Sequence, residues 1–260
     1  MLASSQWKTC SLCFALAWPV FAAGPALVVD RGLPQGNLNN AAGQYRSNIR
    51  WSLYDSGFLG DDFTVGASGE SWVIDSIRVW TVPGVNKVDP EHLGDYYQDV
   101  RLYFGGAEDG LTPLVTGQLS AGSNQSSNSN ILIADVTAAG GASYQDIRRD
   151  MHVWQVDFTQ LNLRVQGGEK YRFAAWGLGR VEPAVSTTGK PKKLPKDRQT
   201  YAWFNAAANA EYASTRQDGA DGSILEFTSG GKFESAFNGK GAGWDKGSDI
   251  NVQVFAHRVQ

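Results

Sequence analysis

Apolar and polar residues alternate with period two in several stretches of this chain, the pattern of strands that bury one face. Ile250-Asn251-Val252-Gln253-Val254-Phe255-Ala256 alternates cleanly, and His152–Phe158 places Trp154, Val156 and Phe158 on one face. Val100–Phe104 and Tyr171–Trp176 read as strands as well. The apolar residues of Trp72–Trp80 do not keep a single phase, which predicts a bulge or bend near Asp75-Ser76. Shorter predicted strands are Leu27–Asp30, Asp62–Val65, Leu114–Thr116, Ile131–Val136, Tyr201–Phe204 and Ile224–Phe227. Turn-forming clusters separate them, among them Gly105-Gly106, Gly122–Asn130, Gly140-Gly141, Gly167-Gly168 and Gly239–Gly247. The alanines of Ala206–Tyr212 favour a short helix. About a dozen short strands with such turns predict an all-β fold, a single β-sandwich or jelly-roll-like domain.

Composition agrees with that class. Of 260 residues, 30 are glycine and only 2 methionine, which argues for a turn-rich fold and against a helical bundle. Lys and Arg total 23 against 26 Asp and Glu, a formal charge of −3 that lacks the basic excess of a nucleic-acid binder.

The first 22 residues have the three-part layout of a secretory signal peptide. One cation, Lys8, precedes an apolar run from Cys10 to Phe21, and small residues follow at Ala22-Ala23-Gly24. Cleavage after Ala22 leaves a domain spanning 23–260, secreted or periplasmic. The apolar run is about half the length a bilayer span requires, and no later run approaches it. Cys10 and Cys13 depart with the leader, so the remaining chain has no cysteine. It is therefore disulfide-free, relies on its own core, and has no thiol nucleophile.

Gly60-Asp61-Asp62-Phe63-Thr64-Val65, Trp72-Val73-Ile74 and Ile77-Arg78-Val79-Trp80 resemble a pattern of secreted bacterial β-sandwich proteins, many of them exosortase substrates of the PEP-CTERM type. Val153–Phe158 followed by Gly168–Phe173 is similar, as is Gly247–Val252. The resemblance runs loosely over residues 52–256 and implies a sandwich fold in an extracellular setting, with no particular activity or site residues. The sequence closes on Arg258-Val259-Gln260 without a sorting anchor, so the free, secreted form is expected.

Strong catalytic signatures are absent: there is no G-x-S-x-G, H-E-x-x-H, P-loop or G-x-G-x-x-G at a strand–helix junction. His92, His152 and His257 lie far apart in sequence. A glycosidase needs two facing carboxylates, for which Asp55, Asp61, Asp62, Glu70, Asp157, Glu226 and Glu234 are candidates. Asp61 and Asp62, being adjacent on a strand, point to opposite faces. Structural calcium is a second possibility. Asp61 and Asp62 sit at the start of one strand and Asp245 and Asp249 precede the last, so these acids meet if the first and last strands are neighbours. The alternative is that they cap turns through local N–H groups.

Aromatic residues outside regular alternation offer platforms for a sugar ring. Tyr96 and Tyr97 sit near His92 and Asp95, Trp203 follows the basic stretch Lys190–Lys196, and Trp244 lies in a glycine-rich loop. Asn205 and Asp245 stand beside them as hydrogen-bonding groups. Against this, large aromatics commonly anchor loops to the core. The sequence thus points to a secreted, non-catalytic binding or extracellular-matrix protein for a glycan. A carboxylate-based glycan hydrolase or lyase, and a structural envelope protein that binds other proteins, are the alternatives.

Overall fold

The computed structural model describes residues 24–32, 49–51, 57–81, 91–106, 111–136, 145–146, 149–150, 152–180, 203–208, 225–228, 233–235 and 249–259. The first strands are β1 (Ala26–Arg31), β2 (Ile49–Trp51), β3 (Gly57–Thr64) and β4 (Ser71–Thr81). A one-turn helix, α1 (Leu93–Tyr96), precedes β5 (Asp99–Gly106), β6 (Thr112–Gln118) and β7 (Ile131–Asp135). The small β8 (Gln145–Asp146) and β9 (Arg149–Asp150) pair with each other. Next come β10 (Trp154–Phe158), β11 (Leu163–Gln166), β12 (Lys170–Trp176) and β13 (Phe204–Ala208). The chain closes with β14 (Leu225–Thr228), β15 (Phe233–Ser235), β16 (Asp249–Ile250) and β17 (Val252–Val259).

Two antiparallel sheets result. The larger runs β1-β17-β4-β10-β7, with β11 also on β4 and with β13, β2 and β16 joined at one end; the smaller runs β15-β14-β3-β12-β5-β6. The alternation noted above sets the layers. Register aligns Phe158, Ile77, Val254 and Val29 in one row across the larger sheet, and Val156, Val79 and Val252 in the next. All seven are fully buried, and they pack in one core with Phe63, Leu102 and Phe173 of the smaller sheet. Each such side chain contributes about 1.5–3 kcal/mol by leaving water, and the described residues, which include no cysteine, close on that core.

The bulge predicted near Asp75-Ser76 is present. Ser76 faces Phe255 and Ile74 faces Ala256, leaving Asp75 as the extra residue of β4. The chain crosses from β10 to β11 at this point, and the Leu161 N–H donates to the Asp75 carbonyl at 3.0 Å. Gln160 and Asn162 flank Leu161 at φ of 54° and 50°, a left-handed geometry that turns Leu161 onto the core.

One expectation is corrected. Ala206–Ala208 belong to β13 and not to a helix: this segment pairs with both β2 and β16, and sheet partners outweigh the modest helix preference of alanine. Residues 209–212 lie outside the described residues, as do residues 1–22 and the basic stretch 190–196. Among the described residues no helix is long and apolar enough to cross a membrane.

Candidate functional site

The strand that carries Asp61 and Asp62, β3, and the last strand, β17, lie in different sheets, yet two of the four acids named for calcium converge. The cation between them is a side chain. Arg31, on the buried face of β1 with Val29, places Nη1 3.3 Å from Asp61 Oδ2 and 3.7 Å from Asp249 Oδ1. All three side chains are at most 2% exposed. Asp61 also accepts the N–H groups of Asp62 at 2.7 Å and Ile250 at 2.6 Å. Asn251 Nδ2 donates to the carbonyls of Arg31 and Gly32, fixing the end of β1 against the start of β17. Burial pushes the Asp61 carboxyl well above the ordinary carboxylate range. Arg31 pulls it down, Asp249 raises it further, and the two N–H donors oppose the rise. Asp62 points to the opposite face of β3, where Lys170 pairs with it at 3.1 Å. Asp245 lies outside the described residues. Among the described residues no group of three or more His, Cys, Asp or Glu side chains is placed to hold a metal ion.

Three of the aromatic candidates, Tyr96, Tyr97 and Trp203, lie inside the fold. Tyr96 and Tyr97 are fully buried and Trp203 is 1% exposed, so none presents a ring face to a sugar in this arrangement. They form a continuous run of ring contacts: His152 on Trp154, Trp154 on Tyr96, Tyr96 on Tyr97 and Tyr97 on Trp203, with centroids 5.1, 5.4, 6.1 and 4.9 Å apart. Their place is the loop-anchoring role weighed above. Arg180 holds the segment from outside, donating to the carbonyls of Gly94 and Leu119, both at 2.6 Å. Asn205 pairs through its backbone with Thr81 and Arg50, and its side chain lies outside the described residues, as does Trp244.

Each histidine meets an aspartate. His257 Nδ1 lies 2.8 Å from Asp75, His152 Nδ1 2.9 Å from Asp135, and His92 Nδ1 3.4 Å from Asp95. Glu70, a candidate acid, closes a turn. It accepts the Ala67 N–H at 2.9 Å and the Trp72 indole N–H at 3.0 Å, and it pairs with Arg258. Those bonds, Ala67 first, hold its carboxyl below the usual range. Asp55 and the side chains of Glu226 and Glu234 lie outside the described residues.

The site that register builds, of which the candidate acids included only Asp157, is on the outer face of the larger sheet. Asp30, Gln253, Arg78, Asp157 and Leu132 are successive register partners on β1, β17, β4, β10 and β7. Gln253 Nε2 donates to Asp30 at 2.9 Å and Arg78 Nη1 to Gln253 Oε1 at 3.2 Å. Arg78 grips Asp157 with two bonds, Nε to Oδ1 at 2.5 Å and Nη2 to Oδ2 at 3.1 Å, and Gln155 donates to the same Oδ2 at 3.0 Å. The guanidinium lies 5.4 Å from the centre of the Phe255 ring. Arg78 remains 30% and Asp157 17% exposed, while Leu132 is 54% and Leu27 42% exposed. The result is an ordered strip of planar hydrogen-bonding groups, open to solvent, with apolar side chains toward both edges of the sheet.

No protein-family model, no curated protein and no solved structure matches this chain.

Proposed function

We propose that this chain is an exported, non-catalytic recognition protein of the extracellular or periplasmic space, that its ligand is a glycan, and that it is kin to the exported β-sandwich proteins its sequence resembles. Export rests on the leader-like layout of residues 1–22. The glycan reading rests on one observation, the outer strip from Asp30 to Asp157. Its carboxylates, amides and guanidinium hold one another rigid across four strands while still facing solvent. Rigid planar donors and acceptors suit hydroxyl-rich ligands, because little side-chain freedom is lost when the ligand binds. The inward acids Asp61 and Asp249 serve the fold through Arg31, and Tyr96, Tyr97 and Trp203 serve the core.

Isothermal titration of the purified chain against a polysaccharide panel, run beside a reducing-sugar assay, tests this reading. Saturable heat with no sugar release is the expected result. Release of reducing ends, or of unsaturated products, would replace it with a glycan-cleaving enzyme.

A further inference from the structure

The outer strip also carries information about the class of ligand, an inference that rests on the glycan reading above. Its one guanidinium, Arg78, is engaged by both oxygens of Asp157. Asp30 adds a second carboxylate at the end of the row, exposed on β1. Below the row, Asp75 stands against His257, and the exposed Arg164 lies beside Val73 on β11. Among the described residues the face therefore has no surplus of positive charge to attract a polyanion, and its carboxylates would repel one at close range. What it offers is alternating acceptors and donors. Carboxylate, amide, guanidinium and carboxylate follow in order, spaced by the strands, over about 14 Å at the usual inter-strand distance. Leu27 and Leu132 supply apolar contact toward the two edges.

We propose that this strip binds an uncharged glycan chain lying across the strands, with sugar hydroxyls bridging the Asp30–Gln253–Arg78–Asp157 row and apolar ring faces resting on Leu27 and Leu132. The occupant runs perpendicular to the strands because the hydrogen-bonding row does. Uronate-rich polymers are excluded by charge.

Affinity electrophoresis of the purified chain tests this. Gels would contain a soluble β-glucan or galactomannan on one side and polygalacturonate or alginate on the other. The expected result is retardation by at least one neutral polymer and by neither polyuronate. Gln253→Ala and Leu132→Ser should each weaken retardation about tenfold. Leu132 is largely exposed, so Leu132→Ser leaves the fold intact, and its melting curve checks this. Retardation by a polyuronate overturns the uncharged class but leaves glycan recognition standing. Neutral-glycan retardation that survives both substitutions overturns the location. Failure of every polymer in both experiments overturns the recognition reading together with this one.

Discussion

Arg31 and Asp61 join the two sheets through a 3.3 Å ion pair sealed from solvent, with Asp249 as a second carboxylate on the same guanidinium. Removing one member of such a buried set leaves the others charged and uncompensated. Arg31→Met should therefore cost about 3–5 kcal/mol, read as a lower denaturant midpoint. The triple change Arg31→Met, Asp61→Asn, Asp249→Asn should recover part of that loss, since these three positions then carry no charge. If the single and triple variants unfold at the same midpoint, the cluster is not an electrostatic unit. Because a guanidinium already sits between the two acids, a calcium chelator should leave the melting temperature unchanged.

The same cluster sets a pH dependence. Burial raises the Asp61 carboxyl well above its ordinary value of 3.8. Between that value and the raised one, the native state binds the proton more tightly than the unfolded chain does. Stability therefore falls as pH rises through this window and levels off above it. Other groups titrate nearby, so the measurement is a difference. Wild-type and Asp61→Asn melting temperatures are compared from acid to neutral pH, and the variant should lack this downward component. A difference that is flat across the range would show that Asp61 does not hold its proton in the fold.

Trp203 separates core from contact surface. It is buried against the Tyr97 ring, so Trp203→Ala should destabilise the fold by about 3–5 kcal/mol. Under conditions where the variant remains folded, glycan affinity should be unchanged. A variant with full stability and no affinity would return Trp203 to the ligand site.

Gly60, next to Asp61, lets β3 and β12 approach closely. A Cβ built there would lie 2.2 Å from the Phe173 carbonyl oxygen and 2.9 Å from the Ala174 Cβ. Backbone cannot yield as a flexible side chain does, so Gly60→Ala should cost about 1–3 kcal/mol, measured by chemical denaturation. An unchanged midpoint would mean that the sheet opens freely at this position.

Layer and face were legible in the sequence wherever alternation was strict. Trp154, Val156 and Phe158 are buried as that pattern predicts, and the lost phase in β4 marks the Asp75 bulge. Asp61 and Asp249 converge through Arg31 of β1 and not through adjacent strands, since β3 and β17 lie in different sheets. Arg31 was missed, although alternation from Val29 already puts it on the buried face; a cation there is the signal that two distant acids share it. The short strand β11 carries too little pattern to stand out, with a single buried position at Val165. The outer row was hidden for a different reason. Period two tells which face Gln253, Arg78 and Asp157 take, but only register, which depends on turns and the bulge, tells that they line up. Tyr96 and Tyr97 mislead because what covers an irregular segment is decided by distant chain, here Trp154 and Trp203.

The most direct test of the account is backbone and side-chain NMR shift mapping of the chain against a neutral glycan that retards it. Perturbations should centre on Asp30, Gln253, Arg78, Asp157 and Leu132, with the buried Tyr96 and Trp203 signals left in place. Perturbations that bypass this row and gather elsewhere on the molecule would contradict the assignment of the outer face as the recognition surface.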